Sequence, residues 1–304
     1  MLFLILAAMF WGTTFVAQDL ASDTVGPFTF NGLRMIIGGG ILLLAVWIKN
    51  KGKLFSSVEE GKGKKYLLFA GMICGALIFF AANFQQAGIE FGTTAGKSGF
   101  ITAMYVVFVP LFGLCIKKKV RGEIWICVFL AAAGLYLLCM ADFSAGLSGF
   151  LANLKMTTGD VLTLVCAVCF AVHIIAVDYF APHTDGVFLS AVQFLSAGLI
   201  GVVFMLFLES PTWEGILAAS GGILYSAIFS CCIAYTLQIL GQRETPAAIA
   251  AILMCLESVF AVISDALVLG TKMSLEEVTG CVLMFIALIA SSLSGTMRPE
   301  EKRR

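Results

Sequence analysis

Four ionisable side chains lie inside long apolar stretches of the sequence, and their types limit the chemistry that the chain can do. They are Arg34, Lys97, His173 and Glu257. A charged group at the centre of a lipid bilayer costs several kcal/mol, so ionisable residues in membrane-spanning segments usually serve a function. These four residues are therefore the first candidates for binding charged groups of a ligand or for exchanging protons.

The stretch Gly96-Lys97-Ser98 has the form of the end of a phosphate-binding loop, but the motif is incomplete. In the pattern GxxxxGK(S/T) the first glycine would fall at position 91, which is Phe91. The preceding stretch is also an apolar helix rather than a buried strand, which argues against nucleotide binding. Two interpretations of Lys97 stay open: pairing with Glu90 or snorkelling to the membrane surface, and facing a translocation path, where it would bind an anionic substrate group or pair with a carboxylate across the cavity.

Glu257 and Arg34 each have a functional and a structural interpretation. Glu257 lies near the middle of an apolar span, where it could exchange protons, bind an amine or, as a neutral acid, hydrogen-bond a neighbouring helix. Arg34 stays charged and must be paired or hydrated, which predicts a structural clamp on a carboxylate or on carbonyl groups, with a direct substrate contact as the alternative.

Polar residues at matching depths add candidates. His173 is either a proton-exchanging group or a plain hydrogen-bonded histidine, and its counterpart in the first half of the chain is Thr14. Asp19 and Asp178 lie at equivalent helix ends, where placement at the membrane interface explains both.

The composition identifies the class of protein that must position these residues. Of the 304 residues, 60% are hydrophobic and 12% are charged, against about 45–50% and about 25% in soluble domains. The surplus of apolar side chains requires a membrane. A net charge of +0 argues against a nucleic-acid partner. All ten cysteines lie in apolar runs, which predicts packing residues and neither a disulfide framework nor a metal site.

Hydropathy predicts ten membrane-spanning helices, since a span needs about 20 apolar residues. The predicted spans are 2–19, 28–48, 66–87, 94–116, 123–140, 160–180, 187–208, 217–240, 246–268 and 275–294. Fifteen basic residues fall on one side of this arrangement and only Lys155 and Lys272 on the other. Positively charged loops stay in the cytoplasm, so both termini are predicted to be cytoplasmic.

The two halves of the sequence repeat each other. Residues 5–20 align with 164–180, and Gln86 and Thr93 align with Gln238 and Thr245, at offsets between 152 and 159. Each repeat has an odd number of spans, so the second enters the membrane from the opposite side. Inverted repeats of this kind are typical of transporters that bind their substrate at the interface between the repeats. The predicted units are 1–140, 159–294 and a basic cytoplasmic tail, 295–304.

The motifs in these spans resemble the drug/metabolite transporter superfamily with EamA-type domains. They are FWGTTFV (10–16), TTAGKSGFITAMYVVFVPLFG (93–113), GDVLTL (159–164) and CLESVFAVI (255–263). The resemblance covers nearly the whole chain and implies an all-α integral membrane fold, with ten helices in two inverted five-helix repeats around a central cavity. By this resemblance, the residues facing the cavity would be Trp11, Thr14, Asn83, Tyr105, His173, Tyr235 and Glu257.

The expected function is secondary transport by alternating access in the cytoplasmic membrane, as an exporter of amino acids or related small metabolites. Glu257 would couple protons or bind an amine, and Lys97 would be a candidate partner for a carboxylate. The alternatives are transport of sugar or nucleotide-linked or cationic drug-like substrates, and, more remotely, a membrane-embedded enzyme. Expected partners are the substrate and the lipid bilayer, with protons and a second copy of the chain as options; no cofactor, metal or catalytic residue is expected.

Overall fold

The structure is a computed structural model that describes residues 1–22, 24–53, 62–93, 95–118, 120–140, 156–269 and 273–296. Within these ranges, the side chains at 15–22, 95–96, 265, 268–269 and 295–296 are outside the description. The predicted basic tail, 295–304, therefore lies almost entirely outside the described part of the chain.

All ten predicted spans are helices. In chain order they are α1 (Leu2–Ser22), α2 (Pro27–Lys49), α3 (Lys64–Glu90), α4 (Ala95–Ala103 and Tyr105–Cys115), α5 (Gly122–Cys139), α6 (Thr158–Phe180), α7 (Gly186–Leu208), α8 (Trp213–Tyr225, Ser226–Ala234 and Tyr235–Gln242), α9 (Ala247–Met254 and Leu256–Leu269) and α10 (Leu275–Thr296). In the described part of the chain, nine of them meet the length and hydropathy expected of a membrane span. The remaining one, α1, has 21 residues and is therefore about 31 Å long, enough to cross the hydrocarbon core. The protein is thus an all-α, multi-pass integral membrane protein.

Local sequence signals explain where several helices begin. Pro27 occupies the first turn of α2, where its missing N–H removes no helical hydrogen bond. Thr157 and Asp160 form a reciprocal capping box at the start of α6. Asp185 accepts a hydrogen bond from the backbone N–H of Phe188 at the start of α7.

Three helices are irregular near the middle of the membrane. Single residues, Met104 in α4 and Cys255 in α9, interrupt the helices, and Cys255 Sγ donates to the carbonyl oxygen of Ala103 at 3.7 Å, so the two interruptions are in contact. In α8, Ser226–Ala234 forms a π-helix. Irregular backbone at membrane depth is tolerated only where protein or a cavity surrounds it, so these positions mark the protein interior.

The helices pack as a pair of interlocked repeats. The first helix of each repeat packs mainly against the other repeat: α1 contacts α8 and α9, and α6 contacts the equivalent pair, α3 and α4. The pairs α2–α7 and α5–α10 each join equivalent helices. Each repeat therefore places its first helix against helices of the other repeat.

Glycine allows the closest of these approaches. A Cβ atom at Gly12 in α1 would lie 2.7 Å from the carbonyl oxygen of Glu257 in α9, and one at Gly75 in α3 would lie 2.5 Å from the carbonyl oxygen of Gln193 in α7. Larger residues would push these helices apart. The backbone that carries Glu257 is thus held directly against α1.

Candidate functional site

A cavity lies between the inner helices of both repeats. Its wall comes from α1, α3, α4, α6, α8 and α9, and α2 contributes Arg34. The lining residues are Trp11, Thr14, Arg34, Ala82, Gln85, Thr102, Tyr105, Phe170, His173, Ile174, Ser230, Tyr235, Gln238, Met254 and Glu257.

Most of the lining consists of pairs that the repeat relates. The pairs are Trp11 with Phe170, Thr14 with His173, Thr102 with Met254, and Tyr105 with Glu257. The side-chain chemistry differs within most pairs. The carboxyl group of Glu257 corresponds to the phenol of Tyr105, and the imidazole of His173 corresponds to the hydroxyl group of Thr14. The backbone scaffold is therefore close to symmetric, whereas the charges in the cavity are not.

Aromatic rings line one part of the wall. The rings of Trp11 and Tyr235 meet edge to face with centroids 4.7 Å apart, and Tyr235 also contacts His173 at 6.1 Å. Trp11 Nε1 is buried and has no hydrogen-bond partner in the described part of the chain. This wall offers apolar area and one N–H donor to a bound molecule.

Arg34 is held in place by neutral groups. Its Nε donates to Asn31 Oδ1 at 3.0 Å, and its guanidinium lies over the ring of Phe30, 5.3 Å from the centroid. Asn31 Nδ2 in turn donates to Asn83 Oδ1 at 3.3 Å. None of the ion pairs formed by the described residues includes Arg34. Arg34 thus donates to a side-chain amide oxygen within its own helix, and it also lines the cavity.

Asn83 lies outside the cavity lining. It is 7% exposed, and its Nδ2 donates to the carbonyl oxygen of Phe79 at 2.8 Å. Its contact with the cavity is indirect, through Asn31 and Arg34.

Glu257 lies in the cavity wall just after the interruption of α9 at Cys255. None of the ion pairs among the described residues includes its carboxyl group. Tyr235 lines the same cavity as Arg34 and Glu257. The cavity thus holds one group that is always cationic and one carboxyl group that are not paired with each other.

Lys97 pairs with Asp160 of α6, a contact that neither interpretation of the sequence named. Its Nζ donates to Asp160 Oδ2 at 2.6 Å, and it is outside the cavity lining. Asp160 has a fully buried side chain and also accepts hydrogen bonds from Thr93 Oγ1 at 2.9 Å and from the N–H of Thr157 at 2.7 Å. The Gly96-Lys97-Ser98 stretch therefore ties the start of α4 to the start of α6, and Lys97 is not the partner of a carboxylate in the cavity.

Replacing Lys97 by methionine is expected to lower the free energy of unfolding by about 3 kcal/mol, since it leaves the buried Asp160 without its cationic partner. The matched substitution Lys118→Met breaks the pair with Asp178, in which the lysine side chain is 47% exposed, and should cost about 0–1 kcal/mol. Thermal unfolding in detergent measures both. Equal effects of the two substitutions would contradict the assignment of the Lys97 pair as a buried tie.

Of the two aspartates predicted at the membrane interface, Asp19 and Asp178, the structure describes the side chain of Asp178 alone. Asp178, at the end of α6, forms an ion pair with Lys118, which follows α4. The side chain of Asp19 lies outside the described residues. The α4 and α6 helices are thus joined by an ion pair at each end.

Gln85 and Thr102 line the cavity but were absent from the predicted site. Gln85 Nε2 donates to Thr102 Oγ1 at 3.1 Å. This hydrogen bond joins α3 to α4 in the wall of the cavity.

Both repeats match a known family, and full-length relatives are also transporters by name. The EamA-like transporter family matches residues 1–140 and 157–293. An uncharacterized transporter of Archaeoglobus fulgidus is 29% identical over 95% of this chain and 84% of its own length. The uncharacterized transporter YwfM of Bacillus subtilis is 28% identical over 96% of this chain and 93% of its own.

A solved crystal structure shares the fold. It superimposes with a TM-score of 0.75 at 16% identity and covers 97% of both chains. The similarity at this level concerns the arrangement of helices alone. Together with ten helices in two interlocked repeats around a polar cavity, the match over both halves shows that the chain belongs to the EamA-like transporter family, within the drug/metabolite transporter superfamily.

Proposed function

We propose that the protein is a secondary transporter that exports amino acids or related zwitterionic metabolites across the cytoplasmic membrane. The observation that carries the proposal is the presence of Arg34 and Glu257 in one cavity without an ion pair between them. An unpaired charge in a low-dielectric site is costly. An amino acid brings a carboxylate for Arg34 and an ammonium for Glu257, and therefore neutralises both groups at once.

The charges of the cavity disfavour the alternative substrates. Sugar phosphates or nucleotide-linked sugars need several cations for their phosphate groups, and Arg34 is the single cation among the lining residues that the structure describes. A purely cationic drug would leave Arg34 unneutralised and repelled. Only a molecule with both charges matches the described lining.

The proposed mechanism is alternating access around this cavity. The exchange of α1 and α6 between the repeats supports a moving unit of α1 with α8 and α9 against a unit of α6 with α3 and α4. Each moving unit would thus combine helices of both repeats, whereas the sequence suggests two units of consecutive helices. When the substrate has left, a proton on Glu257 would neutralise the carboxyl group during the return step.

Contacts at the helix ends support an orientation with cytoplasmic termini. Lys118 pairs with Asp178, and Lys49 lies 4.0 Å from Asp185. All four belong to the face that the distribution of positive charge assigns to the cytoplasm. At the opposite face, the Glu209 carboxylate accepts from the backbone N–H groups of α2.

A binding screen of the purified protein tests the proposed substrate class. The probes are an amino-acid panel and, for the tightest-binding member, the amine that lacks its carboxylate and the acid that lacks its amine. We expect thermal stabilisation by the amino acid and at least about tenfold weaker binding of both truncated analogues, since each leaves one buried charge unpaired. Equal binding of the amine and the amino acid would favour a transporter of cationic compounds and overturn the proposal.

A further inference from the structure

Two residues of the cavity lining, on neighbouring helices, each carry a buried hydrogen-bond acceptor that has no donor in the described part of the chain. His173 in α6 is fully buried and Gln238 in α8 is 2% exposed. Within the described residues, His173 Nδ1 and Gln238 Oε1 have no hydrogen-bond partner. Leaving a buried acceptor unsatisfied costs about 1–3 kcal/mol, so a ligand that donates to both atoms gains the corresponding free energy.

The orientation of His173 is fixed by α7. Its Nε2 donates to Gln193 Oε1 at 3.2 Å, and Gln193 is itself fully buried. Because an amide oxygen can only accept, Nε2 carries the proton of the neutral imidazole and Nδ1 is an acceptor. The ring cannot turn without breaking this contact.

The orientation of Gln238 is fixed by a second amide. Its Nε2 donates to Gln242 Oε1 at 2.9 Å, and Gln242 Nε2 donates to the carbonyl oxygen of Ile174 at 2.9 Å. This chain of bonds commits the Gln238 amide N–H to the protein and leaves Oε1 as its free acceptor. Since Ile174 follows His173 directly, the same chain also holds the two acceptors on adjoining parts of the wall.

We propose that His173 Nδ1 and Gln238 Oε1 form a subsite for an uncharged N–H donor group on the side chain of the substrate, such as a carboxamide. The inference rests on the proposed function and specifies its substrate class, because Arg34 and Glu257 are assigned to the charged groups of the amino acid. Both acceptors are neutral, and the nearby lining residues Phe170, Ile174 and Met254 are apolar or only weakly polar. A second full charge on the substrate would remain uncompensated there.

Glutamine and methionine test the subsite, since their side chains are of similar length and only glutamine has N–H donors. We expect the purified full-length protein to bind glutamine about tenfold more tightly than methionine, as loss of donors to buried acceptors usually produces. His173→Phe and Gln238→Leu should each bring the affinity ratio close to one by weakening glutamine binding, with methionine binding retained. Isothermal titration calorimetry in detergent gives both affinities.

The matched control is Gln86→Leu, the same substitution on α3 at a buried position outside the cavity lining, which should leave the ratio unchanged. Gln193→Leu provides a second route to the subsite, because it removes the group that orients His173, and it should also lower the ratio. Equal affinities in the unmodified protein, or a ratio that survives both His173→Phe and Gln238→Leu, would overturn the subsite alone. Failure of both amino acids to bind would overturn the proposed function as well.

Discussion

Replacement of Glu257 by glutamine is expected to weaken amino-acid binding about 100-fold, which corresponds to about 3 kcal/mol. The substitution preserves the size of the side chain but replaces one acceptor oxygen by an NH2 donor and removes the negative charge that the substrate ammonium would meet. The loss should be confined to ligands with an amine, and the matched acid without an amine should bind the variant at least as tightly as the unmodified protein, because it no longer leaves a charged Glu257 unpaired. Titration calorimetry with the two ligands measures this difference directly.

The control for this variant is Glu214→Gln, the same substitution at an exposed position at the start of α8, which should change neither affinity. Counterflow in proteoliposomes separates the two roles of Glu257. If it binds the ammonium, Glu257→Gln loses exchange at every pH; if it only exchanges protons, exchange persists and its pH dependence disappears. Unchanged binding, exchange and pH dependence in Glu257→Gln would remove both roles.

Replacement of Arg34 by methionine is expected to reduce amino-acid binding by about 30–100-fold, since a buried carboxylate would lose its only cationic partner in the described lining. The amine that lacks the carboxylate should bind the variant at least as tightly as the unmodified protein, because Arg34 no longer repels it. Arg34→Lys should recover only part of the affinity, because a lysine cannot reproduce the planar pair of donors that a carboxylate accepts.

Arg121→Met is the control for Arg34, since Arg121 is an exposed arginine outside the cavity. Its Nη2 lies 2.8 Å from Glu123 Oε2. The melting temperature of Arg34→Met decides whether lost binding reflects a lost contact. The Asn31 and Phe30 contacts of Arg34 predict a modest decrease in stability with the fold retained. A folded variant that still binds the amino acid with full affinity would show that Arg34 is only the clamp that the sequence suggests.

Much of the fold follows from the sequence by itself, because span length, hydropathy and turn residues are local properties. The ten spans, the class of protein and the two repeats all come from such properties. The family resemblance of the motifs adds the residues expected to face the cavity, and of these all but Asn83 line it, namely Trp11, Thr14, Tyr105, His173, Tyr235 and Glu257.

Only the tertiary structure decides which groups the remaining side chains contact and which of them line the cavity. Lys97 meets Asp160, which is 63 residues away in sequence, and no local pattern couples the two positions. Arg34 reaches the cavity from a helix that otherwise packs against α7. Gln85 lines the cavity, whereas its neighbour Gln86 is buried outside the lining. Hydropathy places a residue at a depth in the membrane, whereas its direction depends on how each helix is rotated against its neighbours, and that rotation is set by contacts across the whole chain.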